Sequence, residues 1–242
     1  MRWKVQLEGQ ENGLEQLSES FDEDPRIFEE DGEHYLWTSQ FKQLDESGEV
    51  KDVGENIVKT IRHLGELDSL RVDDLNASCV VEIQEDGSER KIIHASTAMT
   101  ATAAVSARVS INGEELPPRA ESTYEYTQLA LKDDKVQELM DLRDNGNRWA
   151  NLYRIYEYIQ ANIEAEDNIV EQGWWSESEK DLFKRTANSP EAIGYEARHG
   201  DTRVPAPLDP MDHAEAKSLI DSLINDWLRH RKEVLESSEE GS

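Results

Sequence analysis

The chain has 242 residues, enough for one large domain or two modest ones with a real core. Its 53 acidic residues against 26 basic ones give a formal charge of −27, which opposes non-specific attachment to phosphate backbones and makes any nucleic-acid contact a local matter. A single cysteine excludes a disulfide framework and a thiolate zinc site, while 6 Trp, 7 Tyr and 4 Phe argue against wholesale disorder.

In chain order, Trp3, Val5 and Leu7 alternate with Lys4, Gln6 and Glu8, the period of a half-buried strand. Arg26–Phe28 and His34–Trp37 flank Glu30-Asp31-Gly32-Glu33 and predict a hairpin. Val53, Ile57, Ile61 and Leu64 fall at helical spacing, so the stretch from Val50 to Leu64 reads as a helix. Val80–Ile83, then Asp86-Gly87, then Lys91–His94 predict a second hairpin, and Val105–Ile111 runs on to the turn signal Asn112-Gly113. Between these, Ala95–Ala107 is rich in small residues and reads as a packed strand or a short mobile segment. Cys79 reads as a small, buried apolar side chain. Leu116-Pro117-Pro118-Arg119 is the best linker, which sets an α+β, strand-rich module at 1–125.

From about residue 126 the pattern is helical. Val136, Leu139 and Met140 suit a short helix, and Leu152, Ile155, Tyr156, Ile159 and Ile163 form one stripe of the next. Ser176–Glu179 and Asp212–Glu215 have the form of capping boxes, and Asn188-Ser189-Pro190 breaks the helix between them. The last helix carries Ala216, Leu219, Ile220, Leu223, Trp227 and Leu228 and reads as ending at Arg229-His230-Arg231-Lys232, cations that suit the negative end of a helix dipole. The expected fold class is therefore α+β: a β-rich module, then an all-α module at 126–235, then a disordered acidic tail at 236–242.

Several constellations could carry chemistry. Arg198-His199, followed by Asp201 and Arg203, can hold a phosphate and pass a proton near neutral pH. Its plain alternative is an arginine paired with a nearby acid and a histidine capping a helix. Arg185 with Asn188 could bind a ligand together with Arg203, although Asn before Ser-Pro is a common turn former. Trp174-Trp175 could stack bases or pack into the core. No histidine pair has a metal-ligand spacing and no glycine-rich phosphate loop or Gly-x-Ser-x-Gly elbow occurs, so neither a metal nor a cofactor is expected. The diffuse acidic excess suits a halophilic, specifically haloarchaeal, cytoplasm, where molar salt shortens the Debye length to roughly 3 Å. An acidic mesophilic protein that repels nucleic acid is the other reading. No apolar run approaches the roughly 20 residues of a membrane span, and the first residues lack a signal-peptide core, so a cytoplasmic protein without membrane association is expected.

The order of the second half carries a resemblance. Leu152-Tyr153-Arg154-Ile155-Tyr156-Glu157 lies on a helix, Ala197-Arg198-His199-Gly200 forms a later loop, and the helix Ala214–Arg231 closes the unit. Over about residues 130–235 this resembles the HEPN helical domains, in particular the Apea-like group with its LYRxxE helix and arginine–histidine–glycine loop. The resemblance implies a prokaryotic, defence-type protein directed at RNA or nucleotides, with metal-independent RNA cleavage by a homodimer as the sharpest version. Arg198 would hold the phosphate and His199 would act as acid or base. Family ribonucleases separate that arginine and histidine by a few residues, whereas here the two are adjacent. A non-catalytic module that dimerises or binds a protein partner is the alternative.

Overall fold

The computed structural model describes residues 2–94, 110–111, 114–115, 120–163, 168–197 and 205–240. It is α+β: an antiparallel sheet occupies the first half, and helices occupy the second. The chain forms two compact units that divide between Lys132 and Asp133.

In the first unit, β1 (Trp3–Glu8) leads through α1 (Glu11–Ser20) to the hairpin β2 (Arg26–Glu30) and β3 (Glu33–Trp37). A 3-10 turn at Ser39–Gln43 precedes α2 (Ser47–Leu67), which returns the chain to β4 (Asn76–Ile83) and β5 (Glu89–Ile92). The strand order is β2-β3-β1-β4-β5, with every neighbouring pair antiparallel. The first four strands thus have the split βαβ topology of ferredoxin-like sheets, widened by β5. The β2–β3 turn is tight because Asp31 and Gly32 take φ of 53° and 80°, values that asparagine, aspartate and glycine reach most easily. A short pair, β6 (Ser110–Ile111) and β7 (Glu114–Glu115), flanks the predicted Asn112-Gly113 turn. Ala95–Ala107, Asn112-Gly113 and Pro117–Arg119 lie outside the described residues.

The alternation in β1 fixes which side chains meet the helices. Trp3, Val5 and Leu7 are buried with Leu14 and Leu17 of α1 and with Val50, Ile57, Val58 and Ile61 of α2. The helix α3 (Ala120–Ala130) closes this core: Ala120 is buried in it, the Tyr124 ring meets Phe21 edge-on at 5.0 Å, and Thr123 donates to Asp68 at 2.6 Å. That packing places residues 120–130 with the sheet.

The other face of β1 is buried as well, which period-two alternation alone does not reveal. Lys4 is only 1% exposed. Its ammonium lies 3.9 Å from the centre of the Tyr35 ring and pairs with Glu89 at 2.6 Å and with Glu30. Because β3 and β4 flank β1, these carboxylates reach in from the two outer strands, β2 and β5. Burial alone would push the Lys4 ammonium down, but the hydrogen bonds and charges of Glu30 and Glu89 outweigh it and hold it above the ordinary lysine value. Beside it, Gln6 donates to Glu33 at 2.9 Å and accepts from Lys91 at 2.9 Å and from the Cys79 thiol at 3.3 Å. Cys79 is therefore half-buried in a polar network rather than packed as an apolar residue, and burial pushes its thiol up.

The second unit comprises α4 (Asp134–Arg143), α5 (Trp149–Asn162), α6 (Glu177–Ala187), the single turn α7 (Pro190–Ile193), a 3-10 turn at Gly194–Glu196, and α8 (His213–Glu240). Both predicted capping boxes form: Ser176 and Glu179 exchange hydrogen bonds, as do Asp212 and Glu215. Buried Arg143 of α4 reaches Asp221 of α8 at 2.8 Å, and Arg231 grips Asp133 at 2.7 Å, so α4 is tied to α8 at both ends. The second pair corrects the expected end of the last helix. Arg231 is occupied by Asp133 and does not terminate α8, which continues to Glu240 where a disordered tail from 236 is expected. That extension is supported by Lys232 facing Glu236 and by Ser237 and Ser238 donating to carbonyls one turn back. No described helix is long and apolar enough to cross a membrane.

Candidate functional site

The centre of the helical unit is α5, and its sequence gives it two faces. Leu152, Ile155, Tyr156 and Ile159 are buried, as the predicted stripe requires. Phe183 of α6 packs within this group, with ring centroids 5.9 Å from Tyr153, 5.7 Å from Tyr156 and 5.4 Å from Trp175. Ala150, Arg154 and Glu157, spaced four and three residues apart, then share the outward stripe.

These three residues form one wall of a groove of about 420 Å³. Arg148, immediately before α5, lines the same groove, and Tyr195, Glu196 and Ala197 supply the rest of its lining. Arg148 and Arg154 are exposed and form no ion pair among the described residues, although acids outnumber bases two to one in this chain. The N-terminus of α5 adds to their field: Arg148 gives no side-chain cap, and the first-turn N–H groups carry the positive end of the helix dipole. Tyr195 is 94% exposed, so an aromatic ring stands in solvent at the groove.

Such a groove can hold an anion with planar groups attached. Guanidinium groups match phosphate oxygens in bidentate geometry, and a solvent-exposed ring offers a stacking surface. The surroundings remain acidic: burial pushes the Tyr156 phenol up to about 12, and the negative potentials of Tyr153, Glu157, Glu177 and Asp181 add to the shift. Burial and a hydrogen bond to Glu138 raise the Tyr158 phenol further, so both stay neutral.

The sequence-predicted residues distribute unevenly around this groove. Ala197 lines it and is followed directly in sequence by Arg198 and His199, but Arg198, His199 and Arg203 lie outside the described residues. Arg185 is exposed in the last turn of α6 and does not line the groove. Asn188 caps α6 by donating to the Lys184 carbonyl at 2.7 Å, which is the turn-forming role. Trp175 is buried and stacked on Tyr156 at 5.5 Å, and Trp174 meets His230 edge-on, so the tandem packs. Among the described residues no three His, Cys, Asp or Glu side chains gather as a metal site requires.

Arg148, Tyr195 and Glu196 are the site residues that sequence reasoning passed over. The available signal was the polar stripe opposite the α5 apolar stripe, with two arginines at its start. Compared with family models, curated proteins and solved structures, the chain matches none.

Proposed function

We propose that the helical unit is an HEPN-like module that binds RNA, holding backbone phosphates at Arg148 and Arg154. The observation that carries this reading is the groove itself: two arginines without carboxylate partners among the described residues and an exposed tyrosine, in a chain of charge −27. The two segments on which the family resemblance rests, Leu152–Glu157 and Ala197–Gly200, both contribute to this lining, through Arg154, Glu157 and Ala197.

In the catalytic form of the proposal, His199 accepts the proton of the RNA 2′-hydroxyl as its oxygen attacks the adjacent phosphorus. Arg198 stabilises the charge that builds on the phosphorane oxygens, and as the bond from phosphorus to the 5′-oxygen breaks, leaving a 2′,3′-cyclic phosphate, the departing oxygen takes the proton back from His199. No metal is needed for this step. The protein then works in the cytoplasm of a halophile, where salt screens the repulsion among its surface acids.

The test uses the full chain in the lowest KCl concentration at which its circular dichroism is that of the folded protein. Labelled single-stranded RNA should bind the wild type and lose most of its affinity for the Arg148→Gln/Arg154→Gln variant. The slope of log affinity against log salt should fall by about 1.4 for two phosphate contacts on a single strand. His199→Ala should still bind but no longer cleave. Equal binding by the wild type and the double-arginine variant would refute the proposed interface, and equal cleavage by His199→Ala would remove the catalytic step.

A further inference from the structure

The groove has a second half that phosphate binding leaves unused. Besides the arginines, the adjacent residues Tyr195 and Glu196 line it, one an aromatic residue 94% exposed and the other a carboxylate. Two carboxylates line the groove, those of Glu157 and Glu196, and both are out of place in a surface that only attracts phosphate, because they repel the same oxygens that Arg148 and Arg154 attract. Glu196 is the one adjacent in sequence to the exposed ring. It fits a surface that also reads a base. Carboxylate oxygens only accept hydrogen bonds, so they select a base edge that presents donors. Guanine alone among the four RNA bases presents two adjacent donors, N1–H and the N2 amino group, on its Watson–Crick edge, and these match the two oxygens of one carboxylate. Uracil offers one N–H between two carbonyl oxygens that the carboxylate repels. An unpaired base reached in this way also exposes a face that an aromatic side chain can cover.

We infer that Tyr195 and Glu196 form a base-reading pair, Tyr195 stacking an unpaired base and Glu196 selecting guanine. This rests on the reading of the groove as an RNA interface. It adds a sequence preference that the arginines cannot supply, since phosphate contacts position a strand without specifying it.

The probe is a short fluorescent oligouridylate, compared with the same oligomer carrying one central guanosine. Binding to the full-length wild type, Tyr195→Ala, Glu196→Gln and Arg148→Gln/Arg154→Gln is followed by anisotropy in the same buffer. The guanosine oligomer should bind the wild type roughly tenfold more tightly than oligouridylate, the discrimination of one good bidentate contact. Glu196→Gln should bring the two affinities together, because the guanosine oligomer loses its base contact while oligouridylate loses only a repulsion of its phosphates. Tyr195→Ala should weaken both oligomers by roughly tenfold, the loss of one stacked base. Replacing the guanosine by 2-aminopurine gives an independent reading, because stacking on Tyr195 quenches its fluorescence and Tyr195→Ala restores it.

A guanosine preference that survives Glu196→Gln, or wild-type affinity retained by Tyr195→Ala, overturns the base-reading pair while leaving the arginine interface standing. Equal affinity of the wild type for the two oligomers overturns the pair as well. Oligomers bound by the double-arginine variant as tightly as by the wild type overturn the interface beneath it, and no binding by the wild type overturns both.

Discussion

Replacing both partners of Lys4, as Glu30→Gln/Glu89→Gln, should leave a buried ammonium facing only neutral groups. Breaking a buried ion pair by removing one side costs about 3–5 kcal/mol, because the remaining charge keeps its desolvation penalty. Here the side chains of Glu30 and Glu89 are 52% and 37% exposed, so water already screens part of their attraction. The Tyr35 ring also still faces the ammonium. Both facts place the double variant at the lower end, about 3 kcal/mol, with each single variant near 1 kcal/mol because the other glutamate still serves. With a urea slope of about 2 kcal/mol per molar, the midpoint for the sheet unit should fall by about 1.5 M at unchanged slope.

The pH dependence has a definite sign. A lysine whose folded value is raised stabilises the fold fully below its unfolded value of about 10.4 and loses that contribution as pH rises through the higher folded value. The gap between wild type and double variant should therefore be constant around neutral pH and close in alkali, from the lowered value that burial alone leaves to the ammonium of the variant up to the raised value of the wild type. A midpoint shift under about 0.3 M, or a gap that widens in alkali, would refute the ion-pair account.

Three further outcomes follow from single sites. Gly13→Ala should destabilise by about 1–3 kcal/mol in urea titration despite the better helix propensity of alanine, since its Cβ would lie 2.3 Å from the backbone oxygen of Arg71; a more stable variant would show that α1 can shift. Phe183→Ala removes the ring that touches Trp149, Tyr153, Tyr156 and Trp175 and should cost about 3–5 kcal/mol with loss of near-ultraviolet dichroism; an unchanged spectrum would mean that the cluster does not pack as described. Burial opposes the Asp24 carboxylate, but hydrogen bonds from Ser39 and Thr38 outweigh it and hold it below the usual range. Its contribution, under about 1 kcal/mol at so exposed a site, is present above about pH 3.9 and lost as pH falls through the lower folded value. Asp24→Asn should flatten that part of the acid denaturation curve, and an identical curve would count against the assignment.

Elements with strong periodicity or capping chemistry were legible. The hairpin around Asp31-Gly32, the α2 and α5 stripes and the two capping boxes all depend on residues close in sequence, so a local pattern suffices to find them. The helix α1 was not legible, because ENGLEQLSES buries only Gly13, Leu14 and Leu17 and owes its place to the sheet beneath it. The burial of Lys4 and the continuation of α8 past Arg231 depend on partners far away in sequence, Glu89 and Asp133. The same holds for the groove. Its two walls, α5 and Tyr195–Ala197, are distant in sequence, and each looks ordinary until the fold brings it against the other.

Because α5 presents Arg154 outward and Tyr153, Ile155 and Tyr156 inward from the same turns, the groove takes its shape from the core directly behind it. Affinity and stability are thereby confounded on this helix. A core substitution such as Phe183→Ala can abolish ligand binding from a position that no ligand reaches, and loss of binding identifies a contact only in variants whose unfolding midpoint is unchanged.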